Sequence, residues 1–156
     1  MEPYEFAVFV HWMYTGEIDK EGSGFERPVG GHFGGAFAAF LAGDVLDNES
    51  LRNEAMTEMI KIDNDMKTLP GEPGVFRYWD KTAESSPLRR YLVNSYASYA
   101  SVDSLAGLIT RVPSNFLQEI LRKLAQIRDA TKKEVITPAT ACKYHDHKET
   151  PTCTQT

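Results

Sequence analysis

The residues best suited to chemistry lie near the C-terminus, where two cysteines and two histidines follow the pattern C-x2-H-x-H-x5-C. They are Cys142, His145, His147 and Cys153. Two thiolates and two imidazoles form the ligand set of a structural zinc site, so the cluster predicts zinc or another soft-to-borderline metal. Two other interpretations stay open: a Cys142–Cys153 disulfide, and a solvated polar tail that binds no cofactor. We prefer the polar tail, because the spacing is not that of a standard zinc finger and because Pro151 and the charged Lys143, Asp146, Lys148 and Glu149 are typical of a solvated segment.

The rest of the sequence offers no grouping suited to catalysis. His11 stands inside a predicted helix and His32 in a glycine-rich stretch, and local spacing places neither a carboxylate nor a nucleophile beside them. The sequence contains no Gly-x-Ser-x-Gly elbow, no His-Glu-x-x-His pattern and no dinucleotide-binding fingerprint. We therefore expect a protein that is not an enzyme.

The composition is typical of a soluble globular protein, with 42% apolar and 25% charged residues among 156. No apolar run approaches the roughly 18 residues of a membrane span, and no secretory signal opens the chain. With only two cysteines, we expect an intracellular protein of the cytoplasm or nucleus. The residues up to Asp65 carry 13 acidic and 4 basic side chains, which argues against binding to nucleic acid.

The elements that would position these residues are helices, and the first is predicted over residues 4–18. Pro3 suits the first helical position and Gly16 suits a left-handed cap at the end. Four apolar residues follow the i, i+3, i+4, i+7 spacing of one buried face: Phe6, Phe9, Val10 and Met13. A second apolar set lies off that face and consists of Val8, Trp12 and Tyr14. A helix that is apolar nearly all round needs protein on several sides.

Four further helices are predicted from apolar spacing and end signals, over residues 33–46, 49–62, 87–101 and 113–130. Three of them have a predicted buried stripe: Phe33, Phe37, Phe40 and Leu41 in the first, Leu51, Ala55, Met59 and Ile62 in the second, and Phe116, Leu117, Ile120, Leu121, Leu124 and Ile127 in the last. Asn48 and Ser86 are suited to cap two of them. We expect Glu54 and Glu58 to face water, and we expect Gly43 to weaken its helix by up to about 1 kcal/mol. The chain is thus predicted to be mostly α, a bundle of about five helices.

The predicted connections are rich in glycine and proline. Residues 19–35 contain six glycines and are predicted to be a flexible linker. Residues 69–87 are predicted to be a loop in which residues 75–79 run extended and pack their aromatic rings on the core, the alternative being a binding surface. Arg89 and Arg90 are expected to pair with the acidic first half, the alternative being an anion site.

Four segments of the chain share a pattern with a known family. They read FVHWMYTGEI at residues 9–18, AAFLAGDVL at 38–46, SLRNEAM at 50–56 and SSPLRRYLV at 85–93. The first is similar to F-x-x-W-L-Y-T-G-x-I, and the last to S-P-L-R-R-L-L-V, in BTB/POZ domain proteins of filamentous fungi. The chain therefore resembles the C-terminal half of a BTB/POZ domain followed by its helical extension.

This resemblance implies a division into residues 1–65 for the BTB-like half, 66–130 for the helical extension and 131–156 for a polar tail. It also implies a protein-protein interaction module, an adaptor whose partner is a second copy of the chain or a cullin-type ubiquitin-ligase scaffold. The first part of the family's domain has no counterpart here, so we expect a truncated form. The contacts that this part would make are expected to be missing around Phe6, Phe9, Trp12 and Tyr14. The alternative function is that of a small metal-binding regulatory protein using the Cys/His cluster.

Overall fold

The computed structural model describes residues 1–19, 31–130 and 142–148, and these residues form helices and no strand. The helices are α1 (Pro3–Thr15), α2 (Gly34–Val45), α3 (Glu49–Met66), α4 (Glu72–Trp79), α5 (Pro87–Tyr99), α6 (Val102–Leu108) and α7 (Ser114–Ala130). A 3₁₀ turn, Gly31–Phe33, leads into α2, so the predicted flexible linker over residues 19–35 is wrong for residues 31–35, while residues 20–30 lie outside the described residues. The predicted all-helical class is confirmed, with seven helices in the described part of the chain where about five were expected. None of these helices is long and apolar enough to cross a membrane.

Helix α2 lies at the centre of the core. All of its residues from Gly34 to Gly43 are buried, and the aromatic rings of Phe37 and Phe40 are fully enclosed. Alanines between the aromatics let neighbouring helices approach closely, and α2 packs against both α1 and α3. The predicted apolar face is therefore confirmed, although burial extends around the whole helix.

Gly43 allows α2 and α3 to meet, which is a different role from the weak helical position that the sequence predicted. A Cβ atom at this position would lie 2.9 Å from Cγ of Arg52 and 3.0 Å from its backbone nitrogen. The Gly43 carbonyl accepts hydrogen bonds from the backbone N–H of Asn48 at 2.7 Å and from Nη1 of Arg52 at 3.2 Å. The side chain of Asn48 then caps α3 as predicted, accepting from Leu51 N–H at 2.9 Å.

The predicted extended segment over residues 75–79 is wrong, because these residues lie in α4. Gly71 provides the N-cap and Pro73 stands in the first turn, where its missing N–H costs nothing. The expectation that the aromatics pack on the core is confirmed for Tyr78 and Trp79, both buried. Trp79 lies edge-on to Phe116 of α7, with 4.7 Å between ring centroids.

Arg89 and Arg90 do not pair with the acidic first half, so this prediction is wrong within the described residues. Arg89 is buried and donates to the Trp79 carbonyl from Nε at 3.1 Å and from Nη2 at 2.7 Å. Its guanidinium also lies 4.5 Å from the Trp79 ring centroid. Arg90 is exposed and donates to the Ser85 carbonyl. The arginine pair therefore stabilises the junction between α4 and α5.

The apolar stripe of α7 packs on α5 only over its first half. Phe116 and Ile120 are buried, whereas Leu121 is 65% exposed, so its predicted place in the buried stripe is wrong. Leu124 and Ile127 are half-buried. The second half of the helix therefore leaves part of its apolar surface uncovered by the described residues.

Candidate functional site

The predicted interaction surface is on α1, and polar contacts fix how this helix sits on the bundle. The backbone N–H of Glu2 donates to the Glu5 carboxylate at 2.8 Å, as part of a capping box. Lys81 Nζ donates to Glu2 at 2.6 Å and to Glu5 at 3.3 Å, and Arg77 also pairs with Glu2. The hydrogen bond from Lys81 and the charge of Arg77 lower the pKa of the Glu2 carboxyl. The start of α1 is thus tied to α4.

The inward side of α1 carries Val8, which is buried, together with the half-buried Trp12. Trp12 Nε1 donates to the Glu54 carboxylate of α3 at 2.6 Å. Glu54 was expected to face water, and this hydrogen bond to an indole 42 positions earlier corrects that prediction. Glu58, expected to be exposed as well, is buried at 9% exposure.

The predicted buried face of α1 is turned outward. Phe6 is 52% exposed and Met13 is 58% exposed, while Phe9 and Val10 are half-buried. Tyr14, on the adjoining arc, is 84% exposed. The helix buries the opposite arc, so the prediction is wrong for Phe6 and Met13, whereas Phe9 packs against the core as expected. We call Phe6, Val10, Met13 and Tyr14 the outward face of α1, and Phe9 lies at its edge.

The four predicted interaction residues therefore have different environments. Phe6 and Tyr14 belong to the most exposed part of the outward face, and Phe9 lies at its edge. Trp12 faces α3 and is held by Glu54. The rings of Phe6, Phe9 and Trp12 form a row along the helix, with 6.4 Å between the centroids of each neighbouring pair.

The Cys/His cluster is only partly covered by the structure, because Cys153 lies outside the described residues. Sγ of Cys142 and Nε2 of His147 lie 3.1 Å apart. Nε2 of His145 lies 2.9 Å from Oγ1 of Thr57 on α3, and the His145 and His147 ring centroids are 6.0 Å apart. Burial and the neighbouring His147 lower the pKa of His145.

Zinc ligands at bond lengths of about 2.3 Å for sulfur and about 2.0–2.1 Å for nitrogen stand roughly 3.5 Å apart in a tetrahedron. The contact between Cys142 and His147 is near this separation. His145 instead presents Nε2 to a hydroxyl, and the described residues contain no group of three ligands placed to hold an ion. The metal site stays a prediction that depends on Cys153.

Residues 142–148 are not a solvated tail, which corrects that expectation for this part of the chain. They open with a short 3₁₀ turn and place the Tyr144 side chain, 3% exposed, against α5. The Tyr144 ring meets that of Tyr91 edge-on with 5.9 Å between centroids, and its hydroxyl accepts from Asn94 at 3.0 Å. We call residues 142–148 the docked segment.

No family model, curated protein or solved structure matches this chain. The resemblance to BTB/POZ domains accordingly stays a prediction that depends on the four sequence segments. What the structure establishes independently is an all-helical bundle, across the residues it describes, with an apolar helix face turned outward.

Sequence reasoning missed two polar residues of α3 that contact these regions. Glu54 holds Trp12, and Asn53 holds the docked segment through contacts with Asp146. Both stand on a helix whose apolar stripe was predicted correctly, and polar residues off such a stripe are expected to face solvent. No local pattern signals a partner that lies more than 40 positions away.

Proposed function

We propose that the protein is a non-enzymatic protein-interaction module, an adaptor of the BTB/POZ type, that docks its partner on the outward face of α1. The observation that carries this proposal is the orientation of that helix. The outward face, with Phe6, Met13 and Tyr14, points away from the core. Hydrogen bonds of Trp12 and Glu5 hold the opposite side of the helix on the bundle. Contiguous apolar surface of this kind marks interaction sites.

A second copy of the chain is the partner that we propose for this face. At the observed exposures, Phe6, Met13 and Tyr14 together offer about 400 Å² of side-chain surface. A standard interface buries about 800 Å² on each partner, so this helix supplies about half of that area and its neighbours must supply the rest. A helix paired with its own symmetry mate uses the same patch twice, which suits a small self-complementary surface. Such a contact is expected to be weak and concentration-dependent.

The test is the molar mass of the full chain by light scattering over a concentration series. We expect the wild type to dimerise, and the double variant Phe6→Ser/Tyr14→Ser to dimerise at least about tenfold more weakly. The matched control is Leu121→Ser/Ile109→Ser, because both residues are 65% exposed and neither belongs to α1. The control is expected to dimerise like the wild type.

A wild-type chain that remains monomeric contradicts the choice of a second copy. Retention of a purified cullin-type scaffold by the wild type, but not by Phe6→Ser/Tyr14→Ser, would then support the adaptor role through the other predicted partner. If the chain neither dimerises nor retains that scaffold, the proposed function is wrong. Equal dimerisation of all variants would remove α1 as the contact.

The second candidate function is a small metal-binding regulatory protein, and the proximity of Cys142 to His147 favours it. Thiolate and imidazole together suit zinc. Protein prepared without chelator is expected to carry about one zinc per chain in native mass spectrometry, and Cys142→Ser is expected to lose it. His32→Ala, an exposed histidine outside the cluster, is the control. Absence of zinc from the wild type would exclude this candidate.

A further inference from the structure

The backbone of the docked segment is held by one asparagine of α3. Asn53 Nδ2 donates to the carbonyl of Asp146 at 2.7 Å, and Asn53 Oδ1 accepts from the Asp146 N–H at 2.8 Å. One side-chain amide thus forms hydrogen bonds with both main-chain groups of a single residue. The N–H of Lys148 donates to the carboxylate of Glu49 at 3.1 Å, one helical turn earlier on α3.

Besides the contact of His145 with Thr57, two side chains of the segment are recognised individually. Tyr144 is buried against the ring of Tyr91, with its hydroxyl on Asn94 of α5. The Asp146 carboxylate lies 3.2 Å from Nε of Arg52, which is itself buried at 9% exposure. The aromatic ring of Tyr144 therefore binds to residues of α5, and the carboxylate two residues later binds to Arg52 of α3.

These contacts divide between backbone and side chains, as they do in sites that bind short peptides. Main-chain hydrogen bonds supply affinity, and separate contacts for alternate side chains supply specificity. The surface is built from six residues on two helices, which we call the α3/α5 face: Glu49, Arg52, Asn53, Thr57, Tyr91 and Asn94. It lies on a different part of the molecule from the outward face of α1.

We propose that the α3/α5 face is a peptide-recognition site for a short segment with the pattern Tyr-x-Asp, and that the docked segment occupies it in cis. A partner that presents the same pattern binds there when it displaces residues 142–148. Attachment to the same chain makes binding of the resident segment intramolecular, so it shields the face from partners of modest affinity. This site is independent of the proposed function of α1.

The first experiment measures binding of a peptide to the full chain by fluorescence anisotropy. The probe is a fluorescein-labelled synthetic peptide with the sequence of residues 142–148, in which serine replaces the cysteine. The variant Tyr144→Ala removes the buried ring of the resident segment without changing the α3/α5 face. We expect the peptide to bind this variant at least about tenfold more tightly than the wild type.

Specificity is tested by adding a second substitution to Tyr144→Ala. Asn53→Ala removes both backbone hydrogen bonds and is expected to weaken peptide binding about tenfold or more. Asn64→Ala is the matched control, because Asn64 is also half-buried on α3 but its side chain donates to the Ile60 carbonyl within the helix. The proposal is wrong if Asn53→Ala leaves the affinity for the peptide unchanged. It is also wrong if a folded Tyr144→Ala chain does not bind the peptide.

A second measurement keeps the proposal testable if Tyr144→Ala does not fold. Hydrogen exchange of the wild-type chain is expected to show protected amides at Asp146 and Lys148, the two N–H groups bound by α3. In Asn53→Ala these amides are expected to exchange at least about tenfold faster, and in Asn64→Ala at the wild-type rate. Unprotected amides in the wild type would mean that the face does not hold the segment, which refutes the inference.

Discussion

Replacement of Gly43 by alanine distinguishes the sequence-based expectation from the structural one, because the two predict opposite signs. Helix propensity alone favours alanine over glycine by about 1 kcal/mol, so the sequence predicts that Gly43→Ala stabilises the protein. The structure places the new Cβ 2.9 Å from Cγ of Arg52, 3.0 Å from its backbone nitrogen and 3.1 Å from the Asn48 carbonyl oxygen. The side chain can move away, but the two backbone atoms belong to the start of α3.

The expected loss of stability follows from the shift that α3 must make to restore ordinary van der Waals distances to the new Cβ. A shift of a few tenths of an ångström relative to α2 overpacks a fully buried junction, which typically costs about 1–3 kcal/mol. The same shift strains the 2.7 Å hydrogen bond from Asn48 N–H to the Gly43 carbonyl, worth about 1 kcal/mol. After the propensity gain is subtracted, we expect Gly43→Ala to lower the free energy of unfolding by about 2 kcal/mol.

The assay is urea unfolding monitored by circular dichroism. For each variant it gives the urea concentration at the midpoint and the slope m, the dependence of the free energy of unfolding on urea concentration. Gly107→Ala is the matched control, because a Cβ at that position in α6 meets no atom within 4 Å. The control is expected to gain up to about 1 kcal/mol from helix propensity. A Gly43→Ala chain that is as stable as the wild type, with an unchanged slope, would refute the close approach of α2 and α3.

Three further substitutions test buried polar contacts. Burial raises the pKa of Asp63 above its ordinary value of 3.8, so the folded state binds more protons than the unfolded state just above that value. Wild-type stability is therefore lost as pH rises through this window, and Asp63→Asn is expected to gain stability relative to the wild type there, measured as melting temperature against pH. A lysine at position 89 cannot keep two N–H donors on the Trp79 carbonyl, so Arg89→Lys is expected to lower the free energy of unfolding in urea by about 1–3 kcal/mol. Arg90→Lys is the exposed control, and its free energy of unfolding should change little. Trp12→Phe leaves the Glu54 carboxylate without its indole donor and is expected to lose about 1–2 kcal/mol by the same assay, while Glu54→Gln keeps an acceptor and should lose less.

Much of the helical framework could be predicted, because its signals are local. Asn48 and Ser86 cap α3 and α5 as expected, and Gly16 ends α1 with a left-handed φ of 72°. Each signal depends on residues within one turn of the helix end, so no knowledge of the tertiary structure is needed. The same reasoning failed for α4, since Pro73 and its flanking glycines suggest a turn, and only packing of Tyr78 and Trp79 on the core favours the helix.

The docked segment could not be predicted, because its contacts join distant parts of the chain. Asn53 and Asp146 are separated by 93 positions, and each alone is an ordinary polar residue. The surrounding charged residues suggested a solvated tail. The segment packs on the bundle for two reasons. The ring of Tyr144 is buried, and Asn53 provides hydrogen bonds to the backbone of Asp146, which would otherwise lose its contacts with water.

The reversed orientation of α1 has a physical explanation that also bears on its function. When both sides of a helix are apolar, hydrophobic burial distinguishes them weakly and polar anchors determine the rotation. Glu5, Val8 and Trp12 lie on one arc, and a half-turn that buried Phe6 and Met13 would remove Glu5 from Lys81 and the Trp12 indole from Glu54. The rotation would leave the half-buried Glu54 carboxylate without its indole donor, at a cost of about 1–3 kcal/mol, which is comparable with the gain from burying one aromatic ring. The outward face is therefore stabilised by specific contacts of the opposite arc with α3 and with the end of α4, and this agrees with the proposal that a partner covers it.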